Sequence, residues 1–328
     1  MKQREREWGM KREPDGVPAR LARFFGAFLA LMMLGGALCF SAAEESVTYQ
    51  GWRSVTVDRE TEELDLGDLE IDDWEPFYTF LEQLPKLKKV EMYRSVPNLE
   101  VFETLHERFP GVEFGVSLRF GHVRMRTDDT AFSTLYIGGS KLHSYEEIAR
   151  LRYCKNLYAL DVGHQPVRKL DFLYDLPELR VLIVAICELT DITPIASLQH
   201  LEYLEIFHND IEDISCLKDL PYLMDLNLVK NRVKDLTPLK EMKSLRRLWI
   251  HLYDQDQPEM PDEETLRQLR EALPDCHIDA ESTSTAGGWR RDPHYSVIDR
   301  MFRSRKYEPF ADSKPENIPE PWRSGGGE

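Results

Sequence analysis

Apolar residues return along this chain with a period of 22. Stacked from Cys154, Leu176, Leu198, Leu220 and Met242, the sequence falls into columns. Leu157, Leu179, Leu201, Leu223 and Leu245 form one column, and Leu160, Leu182, Leu204, Leu226 and Leu248 the next. Val162, Val184, Ile206, Leu228 and Ile250 form a third, and Val167, Leu189, Ile211 and Val233 a fourth. Two residues before the fourth stand Gln165, Cys187, Asn209 and Asn231. Alternation over the second and third columns predicts a short strand in each unit, with one face inward and one outward. A unit this short cannot bury its apolar side alone, so neighbours must stack into a solenoid. The Gln/Cys/Asn column is placed to satisfy backbone groups where each strand turns. Cys187 is therefore expected as a turn residue rather than a reactive thiol.

The second half of each unit reads Leu-Thr-Asp-Ile-Thr-Pro-Ile (189–195), Ile-Glu-Asp-Ile-Ser-Cys-Leu (211–217) and Val-Lys-Asp-Leu-Thr-Pro-Leu (233–239). So few residues, with Pro194 and Pro238 at equivalent places, predict a 3₁₀ turn on the convex side. Looser matches extend backwards. Phe132, Leu135, Ile137, Ser140 and Leu142 fit a unit followed by a helix at Tyr145–Leu151. Leu87, Val90, Met92 and Ser95 fit another, with a helix at Leu99–Arg108, and Leu64, Leu66 and Ile71 begin a first, with Trp74–Leu84 helical. Residues 112–126 (VEFGVSLRFGHVRMR) alternate and predict a β-hairpin. Asp262–Leu273 predicts a capping helix and Cys276–Ile278 a last strand.

The pattern L-x-x-L-x-L-x-x-N/C-x-L, as in LEYLEIFHNDI (201–211) and LMDLNLVKNRV (223–233), is that of leucine-rich repeats. The expected fold is an α/β solenoid with a curved parallel sheet, helical caps and a small hairpin insertion. Its 22-residue form resembles the internalin class of bacterial repeat proteins, and also the cytosolic phosphatase-regulating class. Arg126–Thr134 and His294–Phe310 further resemble segments of secreted leucine-rich repeat proteins of gut-type Gram-positive bacteria. That resemblance spans most of residues 110–310 and brings no activity with it. The internalin likeness implies protein binding on the concave face.

Residues 1–23 carry seven bases and four acids, and Phe24–Phe40 is an uncharged apolar run before Ser41-Ala42-Ala43. This predicts a secretory signal peptide cut after Ala43, with an uncleaved membrane anchor as the alternative. The remaining divisions are 44–128, divergent repeats with the hairpin; 129–253, regular repeats; 254–279, C-terminal cap; 280–288, linker; 289–310, a basic amphipathic helix segment; and 311–328, a Pro- and Gly-rich disordered tail. The 328 residues carry a net charge of −16, which disfavours nucleic acid as a partner. Five cysteines in no metal-site spacing predict neither a disulfide framework nor a metal centre. No catalytic signature is present, and no cofactor is implied.

What a solenoid offers is a face. The outward positions predict a concave binding surface of Tyr136, Asp161, His164, Ile183, Ile186, Tyr203, Glu205, Phe207, His208, Trp249 and His251. Its aromatics are the residue types that anchor protein partners. Two expectations attach to residues 289–306. The helix docks on the acidic solenoid, or Arg290, Arg291, Arg300, Arg303, Arg305 and Lys306 bind anionic cell-wall polymer or a membrane surface. The functional expectation is a non-enzymatic extracellular or cell-envelope binder of a protein partner. Its rivals are a structural envelope component held by the basic segment, an enzyme with a site near residues 110–130, and an intracellular adaptor.

Overall fold

A computed structural model describes residues 45–121, 123–135, 142–254, 257–259 and 261–323. The signal-peptide reading and Tyr136 lie outside them. Residues 44–328 form one compact unit. It opens with an antiparallel pair, β1 (Ser46–Gln50) and β2 (Ser54–Asp58). Three short parallel strands follow: β3 (Glu63–Asp65), β4 (Lys89–Glu91) and β5 (Glu113–Gly115). Helices α1 (Trp74–Leu81) and α2 (Leu99–Arg108) connect them. A hairpin, β6 (Ser117–Phe120) and β7 (Val123–Arg126), leads into the regular repeats, the first of which carries a short helix, α3 (Tyr145–Ala149).

The main sheet has seven parallel strands: β8 (Ala131–Ser133), β9 (Ala159–Asp161), β10 (Val181–Ile183), β11 (Tyr203–Glu205), β12 (Asp225–Asn227), β13 (Arg247–Trp249) and, last, β16 (His277–Asp279). Between the last two lie a small hairpin, β14 (Leu252–Asp254) and β15 (Gln257–Glu259), and the capping helix α4 (Glu263–Ala272). The 22-residue period is the strand register itself: Leu160, Leu182, Leu204, Leu226 and Leu248 are successive Cα partners. All five are 0% exposed, which is why a three-residue strand suffices.

Polar residues close each coil. Asn209 Oδ1 accepts from Cys187 N (2.9 Å) and Leu189 N (3.1 Å), while its Nδ2 donates to Val184 O (2.9 Å) and Ile206 O (3.0 Å). Asn231 repeats the role one coil later, and the Cys187 thiol lies 3.3 Å from Val162 O. Burial pushes the Cys187 thiol up to about 12, so it sits in the ladder as a neutral group. His164, Ile186, His208 and Lys230 turn the chain with φ between 54° and 62°, and each N–H bonds the carbonyl of the next coil. On the convex side, 3₁₀ turns at Thr193–Ser197, Ser215–Leu217 and Thr237–Glu241 follow Asp191, Asp213 and Asp235, whose carboxylates accept the Thr193, Ser215 and Thr237 N–H groups. The convex side therefore carries 3₁₀ turns, as the prolines predict.

Three boundaries differ from expectation. Phe132, not Leu135, pairs with Leu160, so the unit before Cys154 is shifted by three residues. Leu135 and Leu142, expected as core positions, are exposed. Residues 113–115 join the parallel strands, which confines the antiparallel hairpin to 117–126. The tail expected to be disordered from 311 is ordered to 323, with a 3₁₀ turn at Pro315–Asn317 and a final turn of helix at Glu320–Arg323, because Ser313 and Asn317 are bound by the solenoid.

Candidate functional site on the concave face

Three rows of side chains run across the concave sheet. The first is Ala131, Ala159, Val181, Tyr203, Asp225 and Arg247, and the second Ser133, Asp161, Ile183, Glu205, Asn227 and Trp249. A third, two residues further on, holds Ala185, Phe207, Val229 and His251. The predicted residues thus share one face, but the face is covered. Asp161, Ile183, Tyr203, Glu205, Phe207, Trp249 and His251 are all at most 9% exposed. Among the described residues of the predicted face, only His164, Ile186 and His208 keep access to solvent, on the turn row at the rim.

The cover is the C-terminal segment. A 3₁₀ turn (Trp289–Arg291) leads into α5 (Pro293–Ser304), capped by Asp292, whose carboxylate accepts from His294 N (2.9 Å). Helix α5 lays Ile298, Met301 and Phe302 on the sheet, the one-sided spacing expected of an amphipathic helix. Arg305, at φ 59°, ends it, and its carbonyl accepts from Thr130 N and Ala131 N (3.3 Å each). The chain then doubles back, burying Tyr307 and Phe310. Residues 289–323 act as a strap, and with the face they form a second apolar cluster, apart from the interior of the coils.

Trp289, fully buried, is the main anchor. Its indole Nε1 donates to Glu205 Oε2 (2.8 Å), and its ring packs on Tyr203 and Trp249 with centroids 5.3 and 5.6 Å away. The Arg247 guanidinium lies 3.9 Å from the Trp289 ring centroid. Arg247 also pairs with both oxygens of Asp225 (3.3 and 3.0 Å), with Asp292 (3.2 Å) and with Trp289 O (2.9 Å). His294 Nδ1 lies 2.7 Å from Asp225 Oδ2 and its Nε2 2.7 Å from Asp312 Oδ1. Burial alone would lower the His294 pKa, but two carboxylates outweigh it and raise it to about 9, so the ring is an imidazolium donating at both ends.

At the far edge Glu202 accepts from Ser313 Oγ and Asn317 Nδ2 (2.7 Å each), and Arg180 Nε donates to Asn317 O (3.3 Å). Burial raises the pKa of Glu202 and of Glu205, and it raises Asp161 to about 6 against the hydrogen bonds from Ser133 Oγ and Gly163 N. Among the described residues, Asp225, Asp292 and His294 bring ligand atoms within 4.8 Å of one another. Arg247 already supplies the positive charge there by pairing with both aspartates.

The basic candidates in the strap are largely engaged within the chain. Arg290 lies 3.8 Å from Glu205 Oε1, Arg300 pairs with Glu308 (2.9 Å), Arg303 with Asp299 (2.7 Å) and Arg305 with Asp129 (3.8 Å). Arg291 and Lys306 are exposed. The docked helix is the arrangement seen. Alternation places Asp225 and Arg247 on the outward side of the strands, but sequence reasoning missed the other residues that hold the strap: Glu202, Arg180, Trp289, His294 and Asn317. The signal for them was paired composition, an aromatic face and an aromatic tail.

No family model and no curated protein matches the chain. Solved structures do. Internalin C2 from Listeria monocytogenes is similar at 17% identity over 71% of this chain and 80% of that one, with a TM-score of 0.34. An internalin F of the same organism matches at 18% over 61% of this chain and 58% of its own, TM-score 0.33. A leucine-rich repeat protein of Leptospira interrogans matches at 15% over 61% and 74%, TM-score 0.28. The chain's own repeat and sheet define it as a leucine-rich repeat solenoid. No helix among the described residues is long and apolar enough to cross a membrane.

Proposed function

We propose that this is an exported, non-enzymatic recognition protein whose concave sheet is the binding surface, kept in a self-occupied state by the strap. One observation carries the reading: the face already holds a 35-residue peptide segment, anchored by a buried tryptophan and two buried charge clusters. Buried aromatic anchors and desolvated charge pairs are what specific protein interfaces are made of. The tether gives the strap an effective concentration on the order of millimolar, so it shields the face from weak partners and yields to strong ones. Export is supported by the basic stretch, apolar run and Ser41-Ala42-Ala43 at the start of the chain.

Attachment to an anionic polymer through the strap is the weaker reading. Its apolar side is spent on the solenoid, and Arg300 and Arg303 are paired with acids of the same segment. The test is cross-linking mass spectrometry on native cells with wild-type and Trp289→Ala protein. Partner cross-links on the concave rim, stronger in the variant, support the reading. Equal cross-links confined to the convex side overturn it.

A further inference from the structure

The strap is an incomplete occupant of its own groove. Glu205 is 0% exposed, yet its Oε1 has no hydrogen bond, the Arg290 guanidinium standing off at 3.8 Å. Asn227, its register partner and also 0% exposed, keeps its carbonyl oxygen on Val229 N (3.1 Å) but leaves Nδ2 without an acceptor. His251 Nε2, two residues beyond Trp249, is a third buried atom without a hydrogen bond. On the strap's side Arg290 Nε and Tyr307 Oη are in the same state. The interior of the coils is different, where Asn209 has four hydrogen bonds. Most buried polar atoms in folded proteins are hydrogen-bonded. Here Glu205, which the strap contacts through Trp289 and Arg290, and its register partner Asn227 each keep one atom unpaired on the concave row.

We propose that the groove is a peptide-binding site for an amphipathic helical segment of a protein partner. That segment would replace the strap, bringing an aromatic N–H donor and a cationic side chain to Glu205, a second cation to Asp225, and an acceptor to Asn227. This rests on the concave-face reading above. The donor to Glu205 Oε2 and the cation on Asp225 are the strap's own solutions, in Trp289 and His294. The donor to Oε1 and the acceptor for Asn227 are what the strap fails to supply. A ligand that supplies them gains hydrogen bonds that the strap cannot make, which is how it competes with a tethered rival.

The probe is a phage-displayed random peptide library, selected on the intact chain carrying Trp289→Ala, which loosens the strap without removing it. The expected result is a family of peptides with a tryptophan and a Lys or Arg within about one helical turn. Their binding should fall roughly 30-fold or more in Asp225→Asn, and measurably in Glu205→Gln, each tested in the Trp289→Ala background. Both substitutions keep side-chain shape, and amide exchange of the repeats checks that each variant is folded. Selection of nothing, or of peptides indifferent to both substitutions, overturns the proposal. An unprocessed protein in the cytosol would overturn export and leave the groove result standing.

Discussion

Replacing Trp289 by alanine separates a strap that docks on a finished solenoid from one that is part of it. The indole is fully buried, donates to Glu205 and stacks beneath Arg247. Truncating a buried tryptophan costs about 3–5 kcal/mol, and Trp289→Phe, which loses mainly the N–H donor, about 1–3 kcal/mol. If the strap opens as its own unit, the alanine cost appears as a rise of roughly 10²–10⁴-fold in the open fraction of residues 289–323. Hydrogen-exchange mass spectrometry reads this peptide by peptide. Exchange should accelerate in residues 293–304 while residues 182–233, held by the leucine columns and the Asn209 and Asn231 bonds, stay protected. Equal acceleration in both would refute separate docking and make the strap a structural staple. No acceleration in either would refute the anchoring role of Trp289.

Three further expectations follow from the buried charges and the ladder. His294 is raised from 6.5 to about 9, so its contribution is fully present below about pH 6.5 and is lost as pH rises through about 9. That is about 3 kcal/mol, and strap protection relative to the intrinsic base-catalysed exchange rate should fall between pH 8 and 10 in wild type but not in His294→Ala; matching profiles would count against the imidazolium. Asp161 is raised from 3.8 to about 6, so the folded state holds its proton more tightly and stability falls as pH rises through that window, by about 3 kcal/mol. Asp161→Asn should remove that slope from urea unfolding midpoints between pH 4 and 7, and parallel slopes in both proteins would contradict it. Asn209→Ala strands two backbone N–H groups and the Val184 carbonyl, while Ile206 O keeps its bond from Asn231 Nδ2; the cost of about 3 kcal/mol or more should lower the melting temperature by roughly 6–12 °C. An unchanged melting curve would show that the ladder is not what holds the coil.

The repeats were legible because a solenoid's contacts are made with the next unit, 22 residues away, so periodicity in sequence is neighbourhood in space. Leu182 meets Leu160 and Leu204, and Asn209 bonds Cys187. Where the period breaks, the reading slipped. The 28 residues from Phe132 to Leu160 allow several alignments, and the apolar Leu135 was the wrong one. Alternation also gave the inner and outer faces correctly, because strand side chains have a period of two whatever lies across from them.

What lies across was not legible. Glu205 and Trp289 are 84 residues apart and Asn317 reaches Glu202 from 115, with no repeat linking them. Tyr203, Phe207 and Trp249 on a predicted face are therefore ambiguous in principle: the same rings serve a partner in trans or a segment in cis. Charge carried a weak hint, since Asp161, Glu202, Glu205 and Asp225 gather on the face and Arg290, His294 and Arg300 in the tail. The structure resolves the ambiguity in favour of a cis occupant, and the unsatisfied atoms add a distinction that neither pattern nor charge contains. Glu205 Oε1 and Asn227 Nδ2, buried without hydrogen bonds in the strapped state, are the atoms the proposed second ligand would engage. Peptides that bind Trp289→Ala protein but leave the wild-type strap protected would place that second ligand below the tether's effective concentration. Peptides that also release the wild-type strap would place it above.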